Sequence, residues 1–572
     1  KEDFMKFETK SIVSRVVAGI ITILFAVFLN WLCLPAWNIR SGGFWWYWIA
    51  VGVFALISFA IAEFYIADDD FFIPTIIIVI IVAVIIVVGT IGAIASSKMV
   101  NAVKYSNLIE IEEGNFEDEI QSVSTVEESR EFPLLDVETA QKLGNRSLSE
   151  IDKVSQFEVN GEYNLISYDE KQYRLSPLEY NSIFKALNNE SIPGYVLVDS
   201  ESQESHLVQL DNEIKYAPSD IFSQDLKRLL RGKYPSYIFD KYQFDIDDNG
   251  EAYYIAPVVE PTIGFFGGKI VQSFVIVNAN TGECEEYAPE DLPEWVDHAY
   301  SLDYLMGLAE SYYQYKGGFW NTIFSKTNVR EISYSYRGEN VNEDDDEDEN
   351  EFVGYNSIMT KDGVQFFTCV VSVSNDESAL GFILANSKTG EITYYDCAGA
   401  EESTAQLQAE SLYQNYGYKS SYPLMVSVDG VPTYVISLKD KSKINKAYVM
   451  INVENYTLSA SGETLEDALL QYREKIFGEE GLTPEDLTGE TSEEVKTETK
   501  STTGTIAELY QATQNGTTQF FLVLEGDENL YISSISNNSR QVQMAVGNNV
   551  SIEYYMSPNE ELVGIVSKIE IQ

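Results

Sequence analysis

FFIPTIIIVIIVAVIIVVGTIGAIA, residues Phe71 to Ala95, is the stretch on which the reading of this chain turns. Its centre, Ile76 to Val82, has the composition of a buried strand. A run of about 25 uncharged residues nevertheless outlasts any strand and exceeds the roughly 20 helical residues that cross a hydrocarbon core. A membrane helix is expected there. Two further apolar runs lie N-terminal to it, Val16 to Trp37 and Phe44 to Ile66, separated by the polar loop Asn38-Ile39-Arg40-Ser41-Gly42-Gly43. Asp68, Asp69 and Asp70 form the turn into the third. Residues 1–104 therefore read as a three-helix transmembrane anchor, with spans at about 16–37, 44–66 and 71–95.

Trp31, Trp37, Trp45, Trp46, Tyr47 and Trp48 cluster around the first loop, as in an interfacial aromatic belt; helix packing is the plainer reading. Gly89, Gly92 and Ala93 would allow close approach of another span. Lys1, Lys6, Lys10 and Arg15 precede the first span, against Arg40 alone in the first loop, which puts the N-terminus in the cytoplasm and the C-terminal region outside. Lys98 and Lys104 pull the other way. No small-residue cleavage site follows the first span, and Trp31 before Cys33 does not suit lipidation, so Cys33 reads as a membrane-buried thiol.

The remainder is polar and acidic. With 572 residues the chain calls for several domains, and its formal net charge is −51. That charge argues against a nucleic-acid partner and against docking on an anionic leaflet. Solubility and mutual repulsion are the simple explanation; attraction of cations or basic partners is the functional one. The densest run, Asn342 to Glu351 within an insertion at 339–351, lacks the Gly that an EF-hand places at its sixth position, so it reads as a solvated insertion, with loose divalent binding as the alternative.

Internal repetition organises the soluble part. Asp248-Asn249-Gly250, Asp362-Gly363 and Asp429-Gly430 each separate β-rich segments, the strongest short signal for a hairpin with a type I′ turn. A further apolar strand follows each: SFVIVNANTGECEEY, GFILANSKTGEITYY and AYVMINVENYTLSAS. Thr281-Gly282-Glu283 and Thr389-Gly390-Glu391 match in position, Asn455-Tyr456 replaces them in the third copy, and GYVLVDSESQESHLVQL is a divergent fourth. Helical periodicity at 225–232, 302–315, 405–416 and 465–477 punctuates the strands, with Gly232, Gly417 and Gly478 as C-caps. The expected unit is an α+β module in which a helix covers one face of an antiparallel meander.

That order, with an acidic or amide residue before Thr-Gly-Glu, resembles the PepSY domain family, best at Val277-Asn278-Ala279-Asn280-Thr281-Gly282-Glu283, where Asn278 stands for the usual Asp. The resemblance covers roughly 195–477 and implies an exported or membrane-attached protein that binds or restrains peptidases. Ile192-Pro193-Gly194-Tyr195-Val196 and Gly232-Lys233-Tyr234-Pro235 are also similar to segments of Gram-positive membrane proteins without an assigned activity. The domains read as 105–240 (linker and first α+β module), 241–315, 316–416 and 417–478 (PepSY-like modules), 479–504 (a flexible Glu/Thr/Lys-rich linker) and 505–572. Five or six short strands in the last suggest a small, OB-like β-barrel; Arg540 and Lys568 as its strong cations favour a structural or protein-binding role.

No catalytic, metal or cofactor site is expected. His206 and His298 lie in no metal-ligand spacing, and His298 reads as a helix-surface residue. Cys284, Cys369 and Cys397 match neither zinc pairs nor a redox motif; buried free thiols suit them better than a Cys369–Cys397 bridge. The remaining oddities are two aromatic, glycine-rich loops, Pro261 to Lys269 and Gly317 to Asn321, whose Phe265, Phe266, Phe319 and Trp320 are candidate interface residues toward the bilayer or a neighbouring subunit; buried loop packing is the alternative. The sequence thus points to a bacterial cell-envelope protein, a non-enzymatic scaffold or binding module that contacts other envelope proteins or copies of itself. A subunit of an oligomeric transport or pore complex and a surface hydrolase are the alternatives.

Overall fold

The computed structural model describes residues 2–64, 73–116, 120, 122–123, 135–148, 154–169, 171–333, 356–373, 375–441, 445–478, 500–514, 517–527, 529–534, 544–556 and 563–571. The acidic run 342–351 lies outside them. The chain divides into two units, Lys1–Leu487 and Thr488–Gln572.

The first unit begins with α1 (Glu2–Cys33), α2 (Gly42–Phe64) and α3 (Ile73–Ser96). Each contains 22 or 23 residues long and apolar enough to cross a membrane, and few of those residues are buried by the protein itself. Side chains that water would reject thus cover the outside of three packed helices, as lipid requires. After Ser97, α4 (Lys98–Ser106) leads into the body, a mixed α/β structure built on antiparallel sheets.

Two short strands, β1 (Glu112–Glu113) and β2 (Ser122–Val123), join later sheets in parallel, and α5 (Val137–Ser147) follows, capped by the Asp136 carboxylate. The first sheet comprises β3 (Phe157–Val159), β4 (Asn164–Tyr168), β5 (Lys171–Tyr180), β6 (Ile192–Asp199) and β7 (Ser205–Ile214), with α6 (Ile183–Ala186) between β5 and β6. After α7 (Leu226–Lys233), the second sheet is the meander β8 (Gln243–Ile246), β9 (Ala252–Ile263), β10 (Gly267–Asn278), β11 (Cys284–Tyr287). Next come α8 (Leu302–Tyr315), α9 (Phe319–Ile323) and the third sheet, β12 (Arg330–Ile332), β13 (Asn356–Thr360), β14 (Gly363–Ser372), β15 (Asn375–Asn386) and β16 (Ile392–Ala400), with β12 and β13 both along β14. Finally α10 (Glu402–Leu412) precedes β17 (Lys419–Ser420), β18 (Leu424–Val428), β19 (Val431–Lys439), β20 (Asn445–Asn452) and β21 (Ser459–Gly462), and α11 (Leu465–Phe477) closes the unit.

The expected helices appear within a few residues, but the expected burial of one sheet face does not hold for the central sheets. In β10, Val275 and Val277 join the core shared with the first sheet, whereas Phe274 and Ile276 join the core beneath α8. In β14, Phe366 and Val370 face that α8 core, and Phe367 and Cys369 face the fourth sheet. Alternate residues of one strand thus enter different cores, which is why these strands read as unbroken apolar runs. Cys369 and Cys397 are both buried, and all four cysteines are free thiols.

Turn chemistry follows the sequence closely. Asp429 and Gly430 both have positive φ, 49° and 84°, as a type I′ turn requires. In the Asp362-Gly363 hairpin the loop proper is Lys361-Asp362, and Gly363 already pairs with Thr360. Four strand ends share one device, an Asx turn. Asp199 accepts from the N–H groups of Glu201 and Ser202, Asn278 from Asn280 and Thr281, Asn386 from Lys388 and Thr389, and Asn452 from Asn455. At the last three, the carbonyl one residue on (Ala279, Ser387, Val453) accepts an N–H from the segment that leads into the preceding helix, donated by Tyr216, Tyr300 and Ala400. Gly282 and Gly390 have positive φ and lie against the rings of Tyr216 and Tyr300, where a Cβ would meet ring carbons at 2.6 and 2.8 Å. Of the three glycines read as caps, Gly478 ends α11 at φ 74° and Gly417 lies beyond α10, while Gly232 is inside α7.

The second unit is a ring of five strands, β22 (Lys500–Gln514), β23 (Thr517–Leu524), β24 (Leu530–Ser534), β25 (Asn549–Met556) and β26 (Val563–Ile571). Hydrogen bonding runs β22-β23-β24-β26-β25 and returns to β22, with β24 and β26 parallel and the other pairs antiparallel. Ile506, Leu522, Tyr531 and Ile552 are among the buried residues of its interior. Because β22 starts at Lys500, residues 500–504, linker-like by composition, form the end of a strand.

Candidate functional site: the belt where body meets spans

Four segments distant in sequence meet the ends of the long helices. At the end of α1, α7 supplies three cations. Arg228 donates from Nη1 to the Trp31 carbonyl at 2.9 Å and stacks 4.8 Å from that ring, Lys227 reaches the Cys33 carbonyl at 3.3 Å, and Arg231 Nε reaches Leu34 at 3.2 Å. The last carbonyls of a helix lack intrahelical donors and carry the negative end of its dipole, so cations suit that position. The α1–α2 loop adds a backbone bond from Trp37 to Pro235 at 2.8 Å and an ion pair between Arg40 and Glu260 at 2.5 Å.

At the end of α3, the β9–β10 hairpin closes on the helix. Ser96 Oγ accepts from the N–H groups of Phe265 and Phe266 at 2.8 and 3.0 Å while donating to Gly92. Gly264, at φ 64°, makes the turn; a Cβ on Gly267 would stand 2.0 Å from the Tyr105 hydroxyl. These contacts explain the glycines of Pro261 to Lys269: they let backbone approach backbone. Phe266 packs on Trp45, and Phe265 remains 42% exposed.

Beyond Ser97, α9 packs on α4, and Lys98 lies 5.2 Å from the Tyr315 ring. Trp320 (55% exposed) stacks on Phe324 (76% exposed), Phe319 is half-buried, and Asn321 ties the loop through Ser325 and Thr327. All four candidate interface residues therefore sit where the body adjoins the ends of the long helices, Phe265 and Phe266 at α3 and Phe319 and Trp320 beside α4. Reasoning from sequence missed their neighbours. Phe222, half exposed, lies tilted against Trp31 with ring centroids 6.0 Å apart, and Gln224 bonds the Glu190 carbonyl, placing the turn after α6 beside it. Ile183, Phe184 and Leu187 of that helical turn are exposed, Phe184 by 75%.

The charge of this belt is the reverse of the chain's. Segments 98–106, 226–234, 261–271 and 316–330 contain ten lysines and arginines and no aspartate or glutamate. The basic run in DLKRLLRGK was the available signal.

Two polar hubs lie inside the body. Asp245 accepts from the N–H groups of Ile246, Asp297 and His298, Asp297 accepts from Ser167 N–H, and His298 Nε2 meets the Leu165 carbonyl at 2.6 Å. Burial, with Asp297 nearby, pushes the Asp245 carboxyl well up; burial also raises Asp297 and lowers His298 to about 4. His298 is thus an interior residue in a loop between sheets, not on a helix surface. In the second hub, fully buried Glu402 accepts from Ser333 Oγ, Cys369 N–H and Tyr422 Oη, and Cys369 Sγ meets Tyr434 Oη at 3.1 Å. Asp245, His298 and Glu402 are buried, with Asp297 at the edge of the first hub, which suits structural roles. Among the described residues no group of three or more His, Cys, Asp or Glu is placed to hold a metal. No family model matches the chain, and no curated protein matches it.

Proposed function

We propose that this chain is a membrane-anchored, extracytoplasmic scaffold or protein-binding module of the bacterial cell envelope, acting without catalysis. The observation that carries this reading is the bonded junction described above: cations, backbone and a clamped hairpin hold the body on the ends of α1 and α3. A body held in this way presents its outer surfaces at a set height and angle, as a scaffold needs. The shared Asx turns and the docking of each pre-helix segment support reading residues 241–478 as three PepSY-like modules, with the first sheet a divergent fourth. The order β22-β23-β24-β26-β25 supports an OB-like barrel as a terminal contact module. The partners are other envelope proteins or further copies of this chain.

The test is the native mass, with identification of co-purifying chains, of gently solubilised full-length protein and of a variant truncated after 487. The scaffold reading expects a defined complex that the truncation loses while the anchor still inserts; an unchanged complex argues against the barrel as the contact. One observation favours a second reading, a subunit of an oligomeric transport or pore complex. Glu63, buried between the long helices, accepts from Thr75 Oγ1 at 2.7 Å and lies 3.9 Å from Arg15. Ionisable groups at such positions mark ion or substrate paths in other membrane proteins. Ion flux through reconstituted protein, abolished in Glu63→Gln, would select that reading.

A further inference from the structure

We propose that the belt is a second membrane contact: a docking surface that seats the body on the anionic phospholipid headgroup layer around the ends of α1 and α3. Three independent features converge on this occupant.

The first is position. Phe222 packs against Trp31, two residues from the end of α1, and α4 starts two residues after α3 ends. Their surroundings are therefore level with the ends of helices whose own outer surfaces belong in lipid.

The second is exposed apolar area on both sides of that level. On one side Ile183, Phe184 and Leu187 protrude from α6. On the other, Val100 and Val103 of α4 lie beside Trp320, Ile323 and Phe324 of α9, all at least 49% exposed. In the turns 183–187 and 320–324 the spacing of three or four residues puts these side chains on one face, as in helices that lie in the plane of an interface, whereas α4 kinks at Asn101 between Val100 and Val103. In water such surface has no compensation; in the upper acyl region it is removed from solvent at about 25 cal/mol per Å².

The third is charge. Ten cations and no carboxylate occupy the four belt segments of a chain with 89 acidic residues. Carboxylates do flank the belt: Glu260 pairs with Arg40 and Asp225 caps α7, while Glu190, just after α6, is exposed. Lys104, Lys269, Lys316 and Lys326 are exposed at the rim, at the height where lipid phosphates lie, and long aliphatic stems let such residues reach phosphate from an apolar setting. A basic rim on an acidic chain also favours one orientation, with this rim toward an anionic leaflet. The net charge of −51 therefore does not exclude an anionic leaflet, because the charge is segregated.

The experiment uses the full-length protein in nanodiscs of phosphatidylcholine alone or mixed with phosphatidylglycerol. Amide hydrogen exchange of 181–190 and 316–330 should slow roughly fivefold or more with phosphatidylglycerol, and the difference should vanish in about 0.5 M salt. The same difference should vanish in K104Q/K316Q/K326Q, whose sites are on the surface. Brominated acyl chains should quench the Trp320 share of the fluorescence, taken as the difference between wild type and Trp320→Phe. Equal exchange in both lipids at low salt, or a Trp320 signal untouched by bromine, overturns the proposal. Quenching without a lipid-charge effect also overturns it, since the contact would then be apolar alone.

Discussion

The belt and the interior hubs handle polar and charged groups in opposite ways. In the hubs, Asp245 and Glu402 each accept three hydrogen bonds from the protein itself and see no solvent. In the belt, cations spread along a rim beside apolar side chains that the protein leaves uncovered. The first arrangement is complete within one chain and specifies the packing of the sheets. On the docking proposal the second is completed from outside, by the lipid headgroups, whereas the hubs serve the packing of the body.

The sharpest test of that contrast is Glu402→Ala. It strands the Ser333 and Tyr422 hydroxyls and the Cys369 N–H in a dry core, and the expected loss is about 3 kcal/mol or more of stability in chemical denaturation. A loss below about 1 kcal/mol would mean that the hub relaxes or admits water. Next is Gly267→Ala, whose Cβ would collide with Tyr105 Oη and the Ser96 carbonyl; a cost of about 1–3 kcal/mol and faster exchange at the Phe265 and Phe266 amides are expected. Unchanged exchange would show that the hairpin is not clamped by α3.

The Asp245 hub also makes stability depend on pH. The unfolded chain releases this proton near pH 4, whereas the buried carboxyl, raised by desolvation and by Asp297, keeps it. Between those two values the folded state binds more protons, so the contribution of Asp245 is full in acid and is lost as pH rises, by up to about 1.4 kcal/mol per pH unit. His298 acts in the opposite sense, destabilising as pH falls from about 6.5 towards about 4. Asp245→Asn should remove the decline above about pH 7, where the unfolded His298 is mostly neutral and the folded one fully so; parallel denaturation curves for the two proteins would refute this. The smallest effect is expected at the belt, where Phe184→Ser in detergent should change stability by less than about 0.5 kcal/mol, because the protein gives that ring no cover. A larger loss would mark Phe184 as part of the fold.

Much of the local structure was legible in the residues. The three long helices follow from length and apolarity, the Asp429-Gly430 turn from its need for positive φ, and two strand ends from Thr281-Gly282-Glu283 and Thr389-Gly390-Glu391. Of the candidate site, the two glycine-aromatic loops stood out because glycine beside exposed aromatics has few other uses. Phe222, Ile183 and Phe184 did not, since one or two apolar residues in a polar setting are unremarkable until their neighbours are known. His298 was misread because PEWVDHAYSLDY looks polar, although Asp245 and the Leu165 carbonyl enclose it from other sheets.

By itself, then, the sequence determined what depends on neighbours along the chain: which segments suit lipid and where strands turn. Those properties rest on backbone sterics and on side-chain period, and both act over a few residues. Only the tertiary structure decided that both faces of the central sheets are buried, that Glu402 and Asp245 are interior, and that Lys227, Arg228 and Arg231 meet the end of α1. The reason is that burial and electrostatic potential depend on distances in space, and the average of −51 over 572 residues contains no information about where the ten belt cations gather.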